Sequence, residues 1–149
     1  MDNSTQEHLD VYAFLKQSSF FSMLSKNALW PLACLAQIRT FSPMEIIIDE
    51  GVDPVGIFIL KKGTVEIFKQ LAPDKILTLT QLSAGDIIGE ISVIDKLKTT
   101  ASVRAIDEVE AVFISEWDFT TQMHAYPEIG LQLLPVLAHR LRIVYEKMR

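Results

Sequence analysis

The chain has 149 residues, of which 49% are hydrophobic and 22% are charged, and its 14 basic and 19 acidic side chains give a net charge of -5. This length and composition predict one compact domain, spanning residues 1–149, and exclude disorder over most of the chain. The acidic balance and the scattered basic residues argue against a protein that binds nucleic acid directly.

The first zone, about residues 5–36, has helical spacing. Apolar side chains recur there every three or four residues, which places them on one face of a helix. These residues are Leu9, Tyr12, Ala13, Leu24, Ala28, Leu32 and Leu35. The pattern predicts two short helices, and the hydroxyls of Ser18, Ser19 and Ser25 are candidate N-caps at the breaks.

The second zone, about residues 38–115, is rich in β-branched residues and is interrupted by turn residues. It predicts short strands at residues 45–48, 56–60, 64–69, 76–81, 102–106 and 110–115. The alternation of apolar and polar side chains in several of these strands predicts one packed face and one solvent-facing side. Many short strands joined by turns favour a mainly β fold with flanking helices, built on an antiparallel β-roll or jelly-roll barrel.

The third zone, about residues 116–149, returns to helical spacing. Pro127 suits the first turn of a helix, whereas Pro135 lies inside the helical run and is expected to bend it. Beyond Pro135 the apolar residues step by three and four, so they form a seam suited to pairing with another helix. This candidate homodimer seam consists of Leu134, Leu137, Leu141, Val144 and Met148.

One interval of the strand zone, residues 85–105, indicates chemistry, because it reads as turn, short helix, polar loop and strand. Gly89 precedes the helix, whose first amides lack acceptors within the helix and are suited to hold an anion such as phosphate. Thr99 and Thr100 add hydroxyl donors. Glu90, at the start of the helix, is placed to accept hydrogen bonds from sugar hydroxyls.

Many short matches, in a consistent order, connect this sequence to one family. The main matching residues are Phe21, Leu24, Phe41, Gly51, Phe58, Gly63, Val65, Gly85, Asp86, Gly89, Glu90, Ala101, Val103, Ala105, Pro127, Leu134 and Leu137. Over nearly its whole length the chain resembles the cyclic nucleotide-binding domains of bacterial catabolite-activator-type regulators, kinase regulatory subunits and gated channels. The resemblance implies the same β-roll, with residues 89–105 as its phosphate-binding cassette.

The resemblance also implies roles for individual residues of the cassette. Gly89 and Glu90 match the positions that hold the ribose phosphate region, where Glu90 would accept a hydrogen bond from the ribose 2′-hydroxyl. Ile91 and Ala101 would contribute backbone amides, and Thr100 matches the small residue that donates to the phosphate. The implied ligand is a cyclic nucleotide, either cAMP or cGMP.

Thr99 is the main departure from the family pattern, because it stands where the family has an arginine that pairs with the cyclic phosphate. Loss of a charge-assisted hydrogen bond, worth roughly 1.5 to 3 kcal/mol, is expected to weaken affinity about ten- to a hundred-fold. Lys98 and Arg104 are poor substitutes, since in an extended segment their side chains point away from the side that Thr99 faces.

The closing helix supplies two candidate base contacts. Val144 and Tyr145 occupy the positions at which the bacterial activators place small hydroxyl residues against adenine. Tyr145 is instead suited to stack on a purine, and Arg140 to approach it from the same helix. No metal site is expected, because the three histidines are far apart and show no metal-ligand spacing.

The sequence therefore favours a sensor or regulatory domain that couples ligand binding to movement of its C-terminal helix. No catalytic residue is recognisable, so an enzyme is not expected. Two alternatives stay open: a dimerisation or interaction module with a degenerate pocket, and the sensor half of a transcriptional regulator. The single Cys34, the polar N-terminus and the lack of a long apolar run predict a cytoplasmic protein with no membrane partner.

Overall fold

A computed structural model describes residues 3–18 and 20–148 of the chain. The predicted N-cap Ser19 lies outside the described residues. The chain divides into two compact units, of which one comprises Ala36–Thr120 and is called the β unit here. The other, the helical unit, is formed by the parts of the chain that precede Ala36 and follow Thr120.

Two of the helical unit's helices are α1, Asn3–Gln17, and α2, Lys26–Leu35. Val11 and Leu15 form the buried face of α1, so the predicted face around Leu9 was wrong by about half a turn. The hydroxyl of Ser25 accepts a hydrogen bond from the amide of Ala28 at 3.3 Å, which confirms this predicted cap.

The last two helices are α4, Glu116–Ala125, and α5, Glu128–Lys147. As predicted, Pro127 stands at the start of α5, and the helix continues through Pro135 as a single element. The amide and the hydroxyl of Ser25 both donate to Oε1 of Glu128, at 2.9 and 2.7 Å, and thereby tie the first turn of α5 to the start of α2. Ile129 is one of two buried residues near the start of α5, whereas residues 141–148 are all exposed.

The β unit contains eight strands in two four-stranded sheets. The strands are β1, Gln37–Phe41; β2, Ile46–Ile48; β3, Gly56–Lys62; β4, Val65–Ala72; β5, Lys75–Leu82; β6, Ile87–Ile88; β7, Ser102–Ala105; and β8, Val109–Ser115. Their order is β1-β8-β3-β6 in one sheet and β2-β7-β4-β5 in the other, and neighbouring strands are antiparallel. This arrangement confirms the predicted antiparallel β-roll with flanking helices.

Residues from both sheets form the core of the roll. The ring centroid of Phe58 lies 4.8 Å from that of Phe113 and 5.9 Å from that of Phe41, in tilted and edge-to-face geometries that aromatic pairs prefer. The other buried members of this core are Ile48, Leu60, Val65, Ile88, Val103, Ala105, Val109 and Ala111. The core therefore contains apolar residues from most of the strands.

The second sheet departs from simple alternation of packed and solvent-facing positions. Val65 and Ile67 of β4 pack on the core, as expected, but Phe68 on the opposite face is also buried. The guanidinium of Arg104 lies 4.6 Å from the ring centroid of Phe68 and covers it. β5 was predicted to have one packed face, yet seven of its eight residues are exposed, and only Leu82 at its end packs against the core.

Candidate functional site

The predicted cassette forms the expected sequence of turn, short helix, polar loop and strand, with the two-residue strand β6 added before the helix. The helix is α3, Glu90–Asp95. Gly89 precedes it with a φ angle of 87°, in the left-handed region. A Cβ atom at Gly89 would lie 2.5 Å from the carbonyl oxygen of Gly56, so only glycine fits this corner.

Glu90 is the first residue of α3 and is only 1% exposed. Ser92 and Val93 are buried beside it, whereas Ile91 is half exposed. A carboxylate this deeply buried requires polar partners, and Glu90 does have an interaction partner in the protein. The position predicted to receive a sugar hydroxyl is therefore set inside the β unit rather than on its surface.

Thr99 is bonded to the loop between β2 and β3 through all of its polar groups. Its hydroxyl donates to the carbonyl oxygen of Asp49 at 2.5 Å and accepts from the amide of Val52 at 3.1 Å. Its amide donates to the carbonyl oxygen of Val52 at 2.8 Å, and its carbonyl oxygen accepts from the amide of Gly51 at 2.9 Å. These bonds fix the polar loop of the cassette against residues 49–52, and they engage both donors of Thr99.

A cavity of about 120 Å³ lies between this loop and the start of α3. The residues that line it include Asp49, Asp53, Gly56, Gly89, Ser92 and Thr99. None of the described lining residues is basic, and the nearby Lys98 forms an exposed ion pair with Asp53 at 3.3 Å. The cavity is smaller than the roughly 300 Å³ at which small-molecule pockets usually begin. It therefore fits part of a ligand rather than a whole nucleotide.

The end of the cassette loop contacts a lysine that the sequence analysis missed. Nζ of Lys69, on β4, donates to the carbonyl oxygen of Thr100 at 3.0 Å, and it lies 3.5 Å from Oε2 of Glu50. Thr100 is exposed and Ala101 is partly buried. The sequence did contain an indication of this contact. Alternation along the strand places Lys69 on the same face as the apolar residues Val65 and Ile67.

The other end of the cassette is connected to α4. Lys96 follows α3 in a left-handed conformation, with a φ angle of 64°. Its Nζ donates to Oε1 of Glu116 at 2.5 Å and to the hydroxyl of Thr120 at 2.7 Å. These bonds join the end of α3 to the first turns of α4.

The two predicted base contacts are located on α5, in the helical unit. Arg140 is partly buried, and Tyr145 is 63% exposed. Tyr145, Ala138, Leu141, Arg142 and Glu146 line a shallow recess on this helix. The structure thus brings Gly89 and Thr99 together around the cavity, with Glu90 adjacent to Gly89, while the roles of Arg140 and Tyr145 stay predictions.

Two further properties bear on the type of site. In the described ranges there is no group of three or more histidine, cysteine, aspartate or glutamate residues arranged to hold a metal ion. None of the helices in the described part of the chain is both long and apolar enough to cross a bilayer.

Sequence comparison gives matches over most of the chain. A model of the family described as cyclic nucleotide-binding domain matches residues 38–126. The CRP-like cAMP-activated global transcriptional regulator of Mycobacterium tuberculosis (strain CDC 1551 / Oshkosh) is 30% identical over 128 residues, which cover 86% of this chain and 57% of that protein. A cyclic nucleotide-gated cation channel protein of Drosophila melanogaster is 27% identical over 129 residues, which cover 83% of this chain and 18% of that protein. The chain thus spans 57% or less of the length of these two relatives.

Solved structures give the same result for the fold. The Thermus thermophilus catabolite activator protein matches with a TM-score of 0.76 and 23% identity over 88% of this chain and 62% of that chain. A regulatory subunit of a cAMP-independent protein kinase A from Trypanosoma cruzi, bound to guanosine, matches with a TM-score of 0.75 and 25% identity. The match covers 83% of this chain and 44% of that chain.

Proposed function

This chain belongs to the cyclic nucleotide-binding domain family, and from that premise we propose that it is a regulatory domain rather than an enzyme. It binds a cyclic nucleotide at the cassette of residues 89–105 and transmits the binding to α5. The observation that supports this most is the corner formed by Gly89 and Glu90, where a left-handed glycine is followed by a deeply buried carboxylate beside a cavity.

Each cassette residue has a defined part in the proposed complex. The carboxylate of Glu90 accepts the ribose 2′-hydroxyl, and the amides of Ile91 and Ala101 face the phosphate together with the hydroxyl of Thr100. Thr99 is uncharged and already bonded to residues 49–52, so it holds the loop in place rather than neutralising the ligand. We therefore expect weaker affinity for cyclic nucleotides than a cassette with an arginine would have.

The base contacts of the ligand come from α5 in this proposal. Arg140 and Tyr145 lie five residues apart in sequence, and Tyr145 offers an exposed ring for stacking on a purine. The Trypanosoma cruzi structure that resembles this chain contains guanosine, which is a purine nucleoside without a phosphate. Adenine and guanine ligands, with and without phosphate, are therefore the compounds to compare.

Coupling to the C-terminal helix follows from the bonds of Lys96. Ligand binding draws the cassette toward the phosphate, and the ion pair of Lys96 with Glu116 passes that displacement to α4, which precedes α5 in the chain. In this proposal the protein has two conformations that differ in the position of α4. The ligand binds one of them more tightly and thereby increases its population. Replacement of Lys96 by Met is expected to leave ligand binding intact but to abolish the ligand-dependent change in hydrogen exchange of α4 and α5.

The direct test of binding is isothermal titration calorimetry with cAMP, cGMP and guanosine. Mass spectrometry of the small molecules released when the purified protein is denatured identifies any ligand that copurifies. A saturable heat with one of the cyclic nucleotides supports the proposal. Lack of heat and of any thermal shift at millimolar ligand contradicts it.

A second candidate function is self-association through α5, and the exposed apolar residues of that helix favour it. Leu134, Leu141, Val144 and Met148 are all more than half exposed, and Leu137 continues the seam between them. A seam of this kind in water is stabilised by pairing with a second copy. Light scattering at high protein concentration tests this, since a mass of 16.8 kDa corresponds to the monomer.

A further inference from the structure

We propose that Lys69 supplies the positive charge that pairs with the phosphate of the ligand, in place of the arginine that the cassette lacks at Thr99. This inference rests on the proposed function, because it assigns a further residue to the same site. It extends the site from the cassette loop to strand β4. The chemistry is a charge-assisted hydrogen bond between a lysine ammonium and a phosphate oxygen.

The direction of the Lys69 side chain follows from the register of the sheet. Val65 and Ile67 pack on the core of the roll, so they define the inner face of β4. Successive side chains of a strand alternate between its faces, and Lys69 is therefore on the inner face as well. The alternation is not interrupted, because Ile67 pairs with Thr80 and Phe68 with Thr78, which places the extra residue of the bulge on β5.

The inner face opens to solvent where Lys69 is located. At one end of β4, Val65 is fully buried and pairs with Leu82, which also packs against the core. At the other end Lys69 pairs with Leu77, which is 48% exposed. Directly opposite residues of an antiparallel pair share one face, so Lys69 and Leu77 lie on the inner face at its solvent-exposed end. The ammonium of Lys69 is therefore accessible to a ligand from solvent.

Lys69 also lies directly against the cassette. Its ammonium is 3.0 Å from the carbonyl oxygen of Thr100, the residue whose hydroxyl is assigned to the phosphate. A lysine ammonium has three donors, and its four-carbon stem allows it to turn toward a new acceptor. Lys69 can therefore keep its bond to Thr100 while it donates to a phosphate oxygen.

The other cations near the cassette in the described residues have different partners. Lys96 is bonded to Glu116, and Lys98 forms an ion pair with Asp53 while remaining largely exposed. Arg104 is on the outer face of the sheet, where Nε donates to Oε2 of Glu66 at 2.8 Å. Of these cations, Lys69 is the one on the inner face.

Glu50 forms an ion pair with Lys69 in the absence of ligand. Its Oε2 lies 3.5 Å from Nζ of Lys69, a long ion pair, and its Oε1 is buried with no hydrogen-bond partner in the described structure. A carboxylate in that situation is poorly stabilised, because a buried acceptor without a donor is unfavourable. The interaction between Glu50 and Lys69 is therefore weak, and a phosphate can readily replace Glu50 as the partner of Lys69.

The experiment compares a charged and a neutral ligand of the same base. Calorimetry with cAMP and with adenosine is carried out on the wild type, Lys69→Met, Lys69→Arg, Glu50→Gln and Lys61→Met. Lys69→Met is expected to weaken cAMP binding about ten- to a hundred-fold and to change adenosine binding less than about twofold. Lys69→Arg retains cAMP affinity and Glu50→Gln raises it. Lys61→Met is the matched control, because Lys61 is as exposed as Lys69 and pairs with Glu110 outside the cassette, and it leaves cAMP affinity unchanged.

The possible outcomes separate this inference from the proposed function. If the wild type binds neither cAMP nor cGMP, the proposed function fails and the inference fails with it. If the wild type binds cAMP and Lys69→Met binds it equally well, the inference alone is overturned. A parallel loss of cAMP and adenosine affinity in Lys69→Met also overturns it, because a general disturbance of the fold affects both ligands, whereas a lost phosphate contact affects only one.

Discussion

The amide of Val52 donates a hydrogen bond to the hydroxyl of Thr99 at 3.1 Å, and the amide of Thr99 donates one to the carbonyl oxygen of Val52 at 2.8 Å. This reciprocal pair joins the cassette loop to the loop between β2 and β3. The position at which the family has an arginine is thus used here to hold two loops together. The charge for a phosphate has to come from elsewhere, or the ligand binds without it.

Thr99→Arg is expected to raise the affinity for cAMP about ten- to a hundred-fold, because it restores one charge-assisted hydrogen bond to the phosphate. Calorimetric titration measures the change. Thr99→Val is the control, since it removes the hydroxyl and adds no charge: it is expected to lower stability by about 1 to 3 kcal/mol for two lost hydrogen bonds without a gain in affinity. Equal cAMP affinities of the wild type and Thr99→Arg would contradict the expectation that a charge at residue 99 reaches the phosphate.

Gly89→Ala tests whether the corner before α3 needs glycine. The new Cβ atom would meet the carbonyl oxygen of Gly56 at 2.5 Å, in a backbone conformation with positive φ. We expect a loss of at least about 1 to 3 kcal/mol in the free energy of unfolding, measured in urea. Gly85→Ala is the matched control, because Gly85 also has a positive φ, of 95°, but open space around its Cβ position. Equal losses in the two variants would contradict the close approach.

Glu66 gives a pH-dependent contribution to stability. Hydrogen bonds from the hydroxyl of Thr78 and from Arg104, together with the charge of Arg104, lower the pKa of Glu66 below its ordinary value. A lowered pKa in the folded state means that the carboxylate stabilises the protein above the unfolded pKa of about 4.3 and that this contribution is lost as the pH falls through the folded pKa.

The measurement for Glu66 is urea unfolding of the wild type and Glu66→Gln between about pH 7 and pH 2.5. The wild type is expected to be more stable at neutral pH, and the difference is expected to shrink below about pH 4.3, where the unfolded carboxyl takes up its proton. Thr78→Val, which removes the first of the two donors, should give an intermediate result. A difference that stays constant down to the lowest pH would contradict the lowered pKa.

Leu141→Lys tests the seam on α5. The side chain is 51% exposed, so the substitution costs the monomer little, but it introduces a charge into the centre of the proposed pair of helices. We expect light scattering to give twice 16.8 kDa for the wild type and 16.8 kDa for the variant. His139→Lys, at an exposed position outside the seam, should leave the mass unchanged. A wild-type monomer at high concentration would exclude the self-association.

The β-roll was predictable because its signals are local. Turn residues and short apolar runs gave six of the eight strands to within a few residues. The strand β6, Ile87–Ile88, has only two residues and is defined by its pairing with β3. That pairing joins distant parts of the chain, so the local sequence does not indicate it. The exposed β5 was misjudged for a similar reason: its apolar residues suggest a packed face, but whether another element covers that face depends on contacts that this stretch of sequence does not contain.

The candidate site likewise has a local part that could be predicted from the sequence and long-range contacts that could not. Gly89 and Glu90 are adjacent in the chain, so their corner was visible in the sequence. The bonds of Thr99 to Asp49 join residues 50 positions apart, and those of Lys69 to Thr100 join residues 31 positions apart. Contacts at such separations depend on strand register, and neither was anticipated.

The measurement that tests the account most directly is calorimetric titration of the purified wild-type chain with cAMP and cGMP. We predict a saturable heat for at least one of them, with an affinity that Thr99→Arg increases. The absence of heat for both ligands at millimolar concentration, without any rise in the thermal unfolding midpoint, would contradict a nucleotide-binding role.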